Sequence, residues 1–429
     1  MKKIKAQKLK GFMDVAPHEM RQKAAMMEKI RQVAELFGFG ILSTPTLEYS
    51  ETLLGVGGET DKQVFRFRDN GDRDVCLRFD LTLPLARYIA ENYGKVPLPA
   101  KCLQMGNVFR AEKPQKGRYR EFTQCDLDIV GVDSMDADVE VLVFVTQILR
   151  ALQVGEFVVR VGNRSILNAL QQQLLPGLDD AGWQSVLIAV DKLDKIGEDA
   201  VAQLIADEVQ VSREDAARFV AAITDANALE QLLGKSAELD AQIQRFTQTC
   251  QVVNQSAGED VVKVDLSIAR GLGYYTGMVF ETNLLQHLSL GSVCSGGRYN
   301  GLVSRFLRDE VPCVGLSVGL SRLQAALSEG QSAQSVAPIY LFRAEEVPLA
   351  QAVSLAAALR AEGLGVDLSI KKRKLAQHFK HADKAGFAQV IYLAAAEDIR
   401  CKQMSSGEEA SYASAAALLQ DLVSPPAQP

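Results

Sequence analysis

The sequence predicts an α+β protein with a mixed, mainly antiparallel sheet, a helical insertion and a C-terminal α/β domain. Three observations predict this fold. Short β-rich runs fill residues 41–128, and the links between them are too short for helical crossovers, so antiparallel pairing is expected. An Ala-, Leu-, Gln- and Asp-rich stretch at about 170–257 has few turn signals and is expected to be helical. After residue 338, strands and helices alternate.

The composition excludes several classes of protein. The 429 residues are 47% hydrophobic and 23% charged, which is typical of a soluble globular protein of about two to four domains. The net charge is −6, and no apolar run approaches the roughly 18 residues of a membrane helix, so we expect a cytoplasmic protein. Seven scattered cysteines indicate reduced thiols, and four histidines without a His/Cys cluster exclude a structural zinc site.

The elements up to residue 328 follow from periodicity and turn signals. Apolar residues such as Met20, Ala24 and Met27 recur every three to four positions, which predicts the first helix. Asn70-Gly71 supplies a hairpin turn between two alternating runs. The predicted elements are helix 18–37, strands 64–68, 75–79, 102–112 and 120–128, helix 135–153, the insertion, strands 261–268, 278–282 and 291–294, and helix 320–328.

The second domain follows a polar linker, predicted at 329–337, and extends over 338–424. Its predicted strands are 338–342, 366–370 and 389–394, and its predicted helices are 349–362 and 375–384. This alternation favours a mostly parallel sheet. The Pro-rich tail at 425–429 is expected to be disordered.

Glycine-rich phosphate cradles are excluded by their spacing. Gly234-Lys235-Ser236 resembles the end of a P-loop, but Leu229 stands where the pattern needs its first glycine. Gly271-x-Gly273 lacks the third glycine of a dinucleotide fingerprint. A nucleotide would therefore be held by arginines.

Polar residues on the predicted hairpin of strands 102–112 and 120–128 point to a ligand. Arg110, Glu112, Gln124 and Asp128 come within reach of one face. A single arginine on a strand is more often salt-bridged than a ligand clamp, but this polar set shares inward parity with apolar neighbours, which is costly unless a polar group binds. Two further arginines mark ordered blocks: Arg270 ends a strand, and Arg322 lies in the first turns of a helix.

In this order the blocks resemble the three motifs of class II aminoacyl-tRNA synthetases. Motif 1 resembles residues 39–48, motif 2 resembles Phe109–Glu112 with its loop, and motif 3 resembles Gly315–Arg322. Within that class the chain is similar to the histidyl-tRNA synthetases, from Lys10 to about Ala394. The blocks that carry this likeness are residues 77–84, 116–122, 269–277 and 295–302. The resemblance implies a class II catalytic core over 1–328 and an anticodon-binding-like domain over 338–424.

The resemblance also implies an activity. It is that of a homodimeric histidine–tRNA ligase, which activates L-histidine with ATP and Mg²⁺ and then charges tRNA(His), with no resident metal and no DNA or membrane partner. Arg110 and Arg270 would clamp the α-phosphate, Arg322 would hold the γ-phosphate, and Glu112 would lie near the adenine amine. These three arginines are the implied catalytic residues.

The implied partners of the substrates are side chains from several blocks. The histidine ammonium would meet Asp80, Thr82 and Gln124, and the imidazole would meet Asp128, Tyr274 and Tyr275. Leu81 and Arg270 are also implied to contact histidine. The implied tRNA contacts are Arg118, Lys371, Lys372, Arg373 and Lys374, for which a merely solvated basic face is the alternative.

Two other functions stay open at this point. Gly273 and Asn300 stand where the family commonly has Asp, which motivates a catalytically silent paralogue that acts as a regulatory subunit of ATP phosphoribosyltransferase. An enzyme that activates histidine for a non-tRNA acceptor is the third interpretation. Retention of Arg110, Arg270, Arg322 and a second domain favours the ligase over the paralogue.

Overall fold

The structure is a computed structural model. It describes residues 4–55, 63–114, 119–225, 229, 232, 236–268, 275–327 and 335–423. Contacts divide the chain into two units, residues 1–14 with 23–327 and residues 15–22 with 328–429. Within the described part, no helix has both the length and the apolar character needed to cross a lipid bilayer.

The elements up to Leu327 agree with most of the predicted ones. In chain order they are α1 (Pro17–Leu36), β1 (Gly40–Leu42), β2 (Leu47–Tyr49), α2 (Ser50–Leu53), β3 (Arg66–Arg68), β4 (Asp74–Leu77), α3 (Thr82–Glu91), β5 (Ala100–Phe109), β6 (Glu121–Val130), α4 (Met135–Ala151), β7 (Phe157–Asn163), α5 (Arg164–Leu174), α6 (Asp180–Val190), α7 (Leu193–Ile196), α8 (Glu198–Val209), α9 (Arg213–Thr224), α10 (Ala237–Ala257), β8 (Val262–Val264), β9 (Met278–Leu284), β10 (Cys294–Arg298), β11 (Cys313–Gly319) and α11 (Leu320–Leu327).

Eight strands form the main sheet, in the order β1-β5-β6-β11-β10-β9-β7-β8. Five of its seven neighbouring pairs are antiparallel, and the parallel pairs β1–β5 and β7–β8 lie at the two edges. The predicted mixed, mainly antiparallel sheet is therefore confirmed. Strands β2, β4 and β3 form a separate small sheet, in which β3 and β4 make the predicted hairpin.

Strand β6 lies in the interior of the main sheet and separates a core face from a polar face. Cys125, Leu127 and Ile129 join the core that contains Ile30 of α1 and Phe144 of α4. Successive side chains of a strand point to opposite faces. The even-numbered residues of β6 therefore face away from that core.

Helices α5 to α10 connect the adjacent parallel strands β7 and β8. Asn163 begins this segment as the N-cap of α5, because its side chain accepts hydrogen bonds from the amides of Ser165 and Ile166. Trp183 of α6 packs edge-on against Phe219 of α9 at a ring separation of 5.9 Å. A parallel pair needs such a long crossover, so the helices leave and rejoin the sheet at neighbouring positions.

The second unit contains a five-stranded sheet. Its elements are β12 (Ile339–Arg343), α12 (Leu349–Ala361), β13 (Val366–Leu368), α13 (Leu375–Ala385), β14 (Gln389–Ala395), β15 (Asp398–Gln403), β16 (Glu409–Tyr412) and α14 (Ala415–Val423), with strand order β13-β12-β14-β15-β16. Two pairs are parallel and two are antiparallel, so the expectation of a mostly parallel sheet is wrong. Strands β15 and β16 follow tight turns, which permit only antiparallel pairing.

Two further predicted strands differ from the structure. The strand predicted at 291–294 begins only at Cys294, because Gly291, with φ of 67°, ends the preceding 3₁₀ helix (Leu285–Leu290). The strand predicted at 261–268 ends at Val264. There the Asp265 side chain accepts the amide of Ser267 at 3.0 Å and turns the chain. Most of the predicted linker, 329–337, and the tail lie outside the described residues.

Candidate active site

The polar face of β6 forms the floor of the candidate site. Gln124, Asp126 and Asp128 alternate along this face and are 8%, 2% and 2% exposed. Opposite Asp128 on β11 is Gly315, and a Cβ there would overlap Asp128 Oδ1. Glycine at 315 therefore makes room for the carboxylate between two strands.

The first of two adjoining cavities contains the arginines of motifs 2 and 3. It has a volume of about 230 Å³, and Arg110, Glu112 and Arg322 line it. Arg110 Nε donates to the carbonyl of Phe79 at 3.0 Å, and its guanidinium carbon lies 5.1 Å from the centre of the Phe122 ring. Arg322 donates to the carbonyl of Ser292. These side chains thus meet in one cavity although they are about 200 positions apart in sequence.

The second cavity, of about 280 Å³, brings together most of the predicted histidine partners. Its lining includes Asp80, Thr82, Gln124, Asp128 and Tyr275. The two cavities share a wall made of Arg110, Gln124, Ser295 and Ser317. The two cavities are therefore adjacent.

The second cavity is rich in carboxyl groups whose ionised forms are disfavoured. Burial raises the pKa of Asp80 to about 6, although the Leu83 amide donates to its carboxylate at 3.1 Å. Burial raises the pKa of Asp128 to about 7, against the lowering effect of a hydrogen bond from Tyr299. Burial, and then the charge of Asp128, raises the pKa of Asp126 well above its ordinary value. Three neighbouring acids in one cavity favour a cationic ligand.

The hydrogen-bonding pattern on this floor points the same way. Three buried acceptor atoms, Gln124 Oε1, Asp126 Oδ1 and Asp128 Oδ2, have no partner among the residues that the structure describes. Buried polar atoms without partners are uncommon in proteins. A ligand rich in hydrogen-bond donors would satisfy all three.

Not every predicted site residue lies in these cavities. Leu81 is buried, and its carbonyl accepts a hydrogen bond from Gln104 Nε2 at 3.0 Å, so its side chain packs in the interior rather than lining the second cavity. Arg118, Arg270 and Tyr274 lie outside the described residues.

The basic residues Lys371 to Lys374 belong to the second unit. The Lys372 ammonium lies 2.7 Å from the Glu345 carboxylate, and Arg373 donates to the Tyr340 hydroxyl at 3.1 Å. Lys371, Lys372 and Arg373 line a cavity of about 290 Å³ in that unit, beside the fully exposed Ile370.

Sequence reasoning missed Asp126, Tyr299 and Ser317. Tyr299 donates its hydroxyl hydrogen to Asp128, 171 positions away, and no local signal predicts this pair. Ser317 accepts a hydrogen bond from Gln124 Nε2 at 2.8 Å. Asp126 could have been found, because it falls on the same alternation as Gln124 and Asp128.

The sequence of this chain is similar to known proteins of one family. The sequence profile of histidyl-tRNA synthetase matches residues 11–323. A histidine–tRNA ligase from Rhodopirellula baltica is 40% identical over 404 residues, which cover 90% of this chain and 90% of that protein.

Two solved structures are similar over nearly their full length. The histidyl-tRNA synthetase of Nostoc sp. PCC 7120 has a TM-score of 0.83 and 30% identity, covering 98% of this chain and 99% of its own. A Bacillus halodurans protein described as an ATP phosphoribosyltransferase regulatory subunit/histidyl-tRNA synthetase has a TM-score of 0.75 and 26% identity, covering 91% and 99%. From the profile, the relative and the two cavities together, this chain belongs to the histidyl-tRNA synthetase family.

Proposed function

We propose that this protein is a histidine–tRNA ligase, which forms histidyl-adenylate from L-histidine and ATP and transfers the histidyl group to the 3′ end of tRNA(His). One observation carries the proposal. The cavity that holds Arg110 and Arg322 shares a wall with the acidic cavity that holds Asp80 and Asp128. A triphosphate and a cationic amino acid bound there would lie side by side.

The first step needs fixed positive charge rather than a protein nucleophile. A carboxylate oxygen of histidine attacks the α-phosphorus of ATP, the bond to the bridging oxygen breaks, and pyrophosphate leaves. Negative charge on the phosphate oxygens is stabilised by Arg110, which Phe79 and Phe122 hold in place. Arg270 is the proposed second clamp of the α-phosphate, and Arg322 is the proposed partner of the γ-phosphate. The nucleotide would enter as its magnesium complex, in which the cation would offset part of the charge of the phosphates.

The second cavity would select histidine. Asp80, Thr82 and Gln124 are the proposed partners of the ammonium group, and Asp128 with Tyr275 and Tyr274 would receive the imidazole. A site that hydrogen-bonds both ends of its substrate rejects isosteres, because they leave its buried acceptors unpaired. Glu112, on the first cavity, is the proposed partner of the adenine amine.

The remaining partners are proposed on separate observations. For tRNA, the support is the basic run Lys371–Lys374 in the second unit, in which Lys372 is 81% exposed. For a homodimer, the support is the segment similar to motif 1, where Ile41 and Leu47 are 60% and 41% exposed on short edge strands. Because charged tRNA is consumed in translation, the cytoplasm stays the predicted location.

The decisive experiment measures the two steps separately. Purified protein is incubated with L-histidine, MgATP and labelled pyrophosphate, and then with total tRNA and labelled histidine. We expect exchange of pyrophosphate that depends on histidine and is absent with other amino acids, followed by charging of tRNA. Absence of histidine-dependent exchange would refute the ligase; exchange without charging would favour a non-tRNA acceptor.

The regulatory-subunit alternative rests on Gly273 and Asn300. Gly273 lies outside the described residues. The side chain of Asn300 hydrogen-bonds to the backbone, because its Oδ1 accepts from the backbone amide of Cys313 at 3.3 Å. The backbone amide of Asn300 donates to Thr276 Oγ1 at 3.2 Å. An aspartate could accept the same bond, so this replacement does not by itself favour the alternative. Co-purification with a phosphoribosyltransferase, without tRNA charging, would reverse the ranking.

A further inference from the structure

Asp126 occupies the middle of the site floor and has no part in the function proposed above. This residue is 2% exposed and lines the second cavity between Gln124 and Asp128. Its cross-strand neighbours are Gln104 on β5 and Ser317 on β11. A buried acid in such a position needs partners.

The protein neighbours of Asp126 leave one of its oxygens unsatisfied. Gln104 is engaged elsewhere, because it accepts from Thr44 Oγ1 at 2.9 Å and donates to the carbonyl of Leu81 at 3.0 Å. Ser317 hydrogen-bonds to the Asp126 carboxylate and also accepts from Gln124. Asp126 Oδ1 remains without a partner among the described residues. A ligand must therefore supply a donor to this atom if the bound site is to be fully hydrogen-bonded.

The arrangement of acceptors indicates an ammonium group as that donor. Alternate residues of a strand are about 7 Å apart, so one planar N–H group cannot serve all three acceptors on β6. An ammonium group carries three donors. It can donate to Gln124 and Asp126 on the strand, and Asp80 and Thr82 at the N-terminal end of α3 can share its third donor. Asp128 remains for a second donor of the same ligand.

The charges around Asp126 also favour a cation. Asp128 and Asp80 disfavour its ionisation, and Arg110 favours it. The other titratable side chains in its field are Arg78, Cys125 and Cys294. Arg78 is engaged with the carbonyls of Asn107 and Thr44 at 2.9 and 2.8 Å. Among the described residues that line the second cavity, three are acids and one, Arg110, is a cation, so a bound ammonium would improve the charge balance of the cavity.

We infer that Asp126 is a specificity-determining residue that binds the α-ammonium group of the amino acid together with Asp80 and Gln124. This inference rests on the proposed function, since it assumes that the second cavity binds histidine. A bound cation stabilises the ionised form of the carboxyl groups in the second cavity. Binding of the ammonium group therefore releases to the solvent a proton that these carboxyl groups hold in the ligand-free site. Histidine binding is then accompanied by proton release, to which Asp126 contributes.

The test compares three ligands by titration calorimetry: L-histidine, histidinol, which keeps the ammonium but lacks the carboxylate, and 3-(imidazol-4-yl)propionate, which lacks the ammonium. The variants are wild type, Asp126→Asn and the control Asp367→Asn, an exposed aspartate on strand β13. We expect Asp126→Asn to weaken the binding of L-histidine and of histidinol by about 10- to 100-fold. The propionate is expected to bind the wild type and Asp126→Asn equally, and Asp367→Asn is expected to match the wild type throughout.

Proton release gives a second measurement, from titrations in buffers of different ionisation enthalpy. We expect fewer protons released per histidine with Asp126→Asn than with the wild type. The inference would be overturned if Asp126→Asn lost affinity for all three ligands equally. It would also be overturned if this variant had the same affinities and released the same number of protons as the wild type. Asp126→Ser, smaller and also neutral, must lose the same selectivity. If the wild type shows this selectivity but no pyrophosphate exchange, the ligase proposal fails and the role of Asp126 stands.

Discussion

Replacing Asp128 by asparagine is expected to make the free energy of unfolding of the ligand-free protein less dependent on pH. Asp128 is 2% exposed. Its carboxyl group accepts a hydrogen bond from Tyr299 and has no partner for Oδ2 among the described residues. Burial raises its pKa from an ordinary 3.8 to about 7. Asparagine has the same shape and can still accept from Tyr299 through its amide oxygen, but it carries no charge.

The sign and size follow from the raised pKa. Between about pH 4 and pH 7 the folded protein keeps a proton on Asp128 that the unfolded chain has lost, so the free energy of unfolding falls as pH rises. The pKa of Asp128 is raised by about 3 units, and each unit corresponds to about 1.36 kcal/mol. The free energy of unfolding is therefore lower by about 4 kcal/mol above pH 7 than below pH 4. About 3 kcal/mol of this falls between pH 5 and pH 8.

The assay is urea unfolding of the ligand-free protein at pH 5 and pH 8, followed by fluorescence. Trp183 is the only tryptophan in the sequence and lies in the first unit, so the signal reports the unit that contains Asp128. From pH 5 to pH 8, we expect the free energy of unfolding to fall by about 3 kcal/mol more in the wild type than in Asp128→Asn. The control Asp367→Asn is expected to follow the wild type. The same pH dependence in Asp128→Asn and wild type would refute the reasoning.

Three further substitutions test other parts of the site. Gly315→Ala is expected to displace the Asp128 carboxylate and weaken histidine binding at least about tenfold, measured by calorimetry. Arg298→Ala is expected to lower the free energy of unfolding by about 3–5 kcal/mol in urea titrations, because it leaves buried Asp138 without its partner at 2.8 Å. Arg322→Ala is expected to slow pyrophosphate exchange about 100- to 1,000-fold while histidine binding is retained.

The first two of these changes have matched controls. Gly301→Ala adds a methyl group where no atom lies within 4 Å, so it is expected to leave histidine binding unchanged. Arg218→Ala removes an exposed arginine, with an expected loss below about 1 kcal/mol. Equal effects at test and control positions would contradict the first two predictions. Normal exchange by Arg322→Ala would contradict the third.

Much of the fold could be predicted because its signals are local. The hairpin of β5 and β6 follows from two runs in which polar and apolar residues alternate, joined by a short connection. In its register, Gln124 lies opposite Gly106. The C-terminal part of β10 was not predicted, because it includes Gly296 and Gly297, which have low strand propensity. These glycines are fixed by tertiary packing: a Cβ at Gly296 would overlap the carbonyl of Gly315 on β11.

The site was predictable only in part, for a related reason. Side chains such as Arg110 and Asp80 lie in blocks with a recognisable pattern. The Tyr299 to Asp128 hydrogen bond depends instead on the strand order β6-β11-β10, which the sequence does not reveal. The burial that raises the pKa of Asp128 arises from the same strand order.

The wall common to the two cavities has a consequence for how the substrates are bound. Arg110, Gln124, Ser295 and Ser317 contact the space on both sides. A nucleotide in the first cavity that displaced these side chains would also change the lining of the second cavity. Thermodynamic reciprocity then requires that ATP alter the affinity for histidine by the same factor by which histidine alters the affinity for ATP. Any coupling between the two ligands would therefore be expected to run through this partition of four side chains.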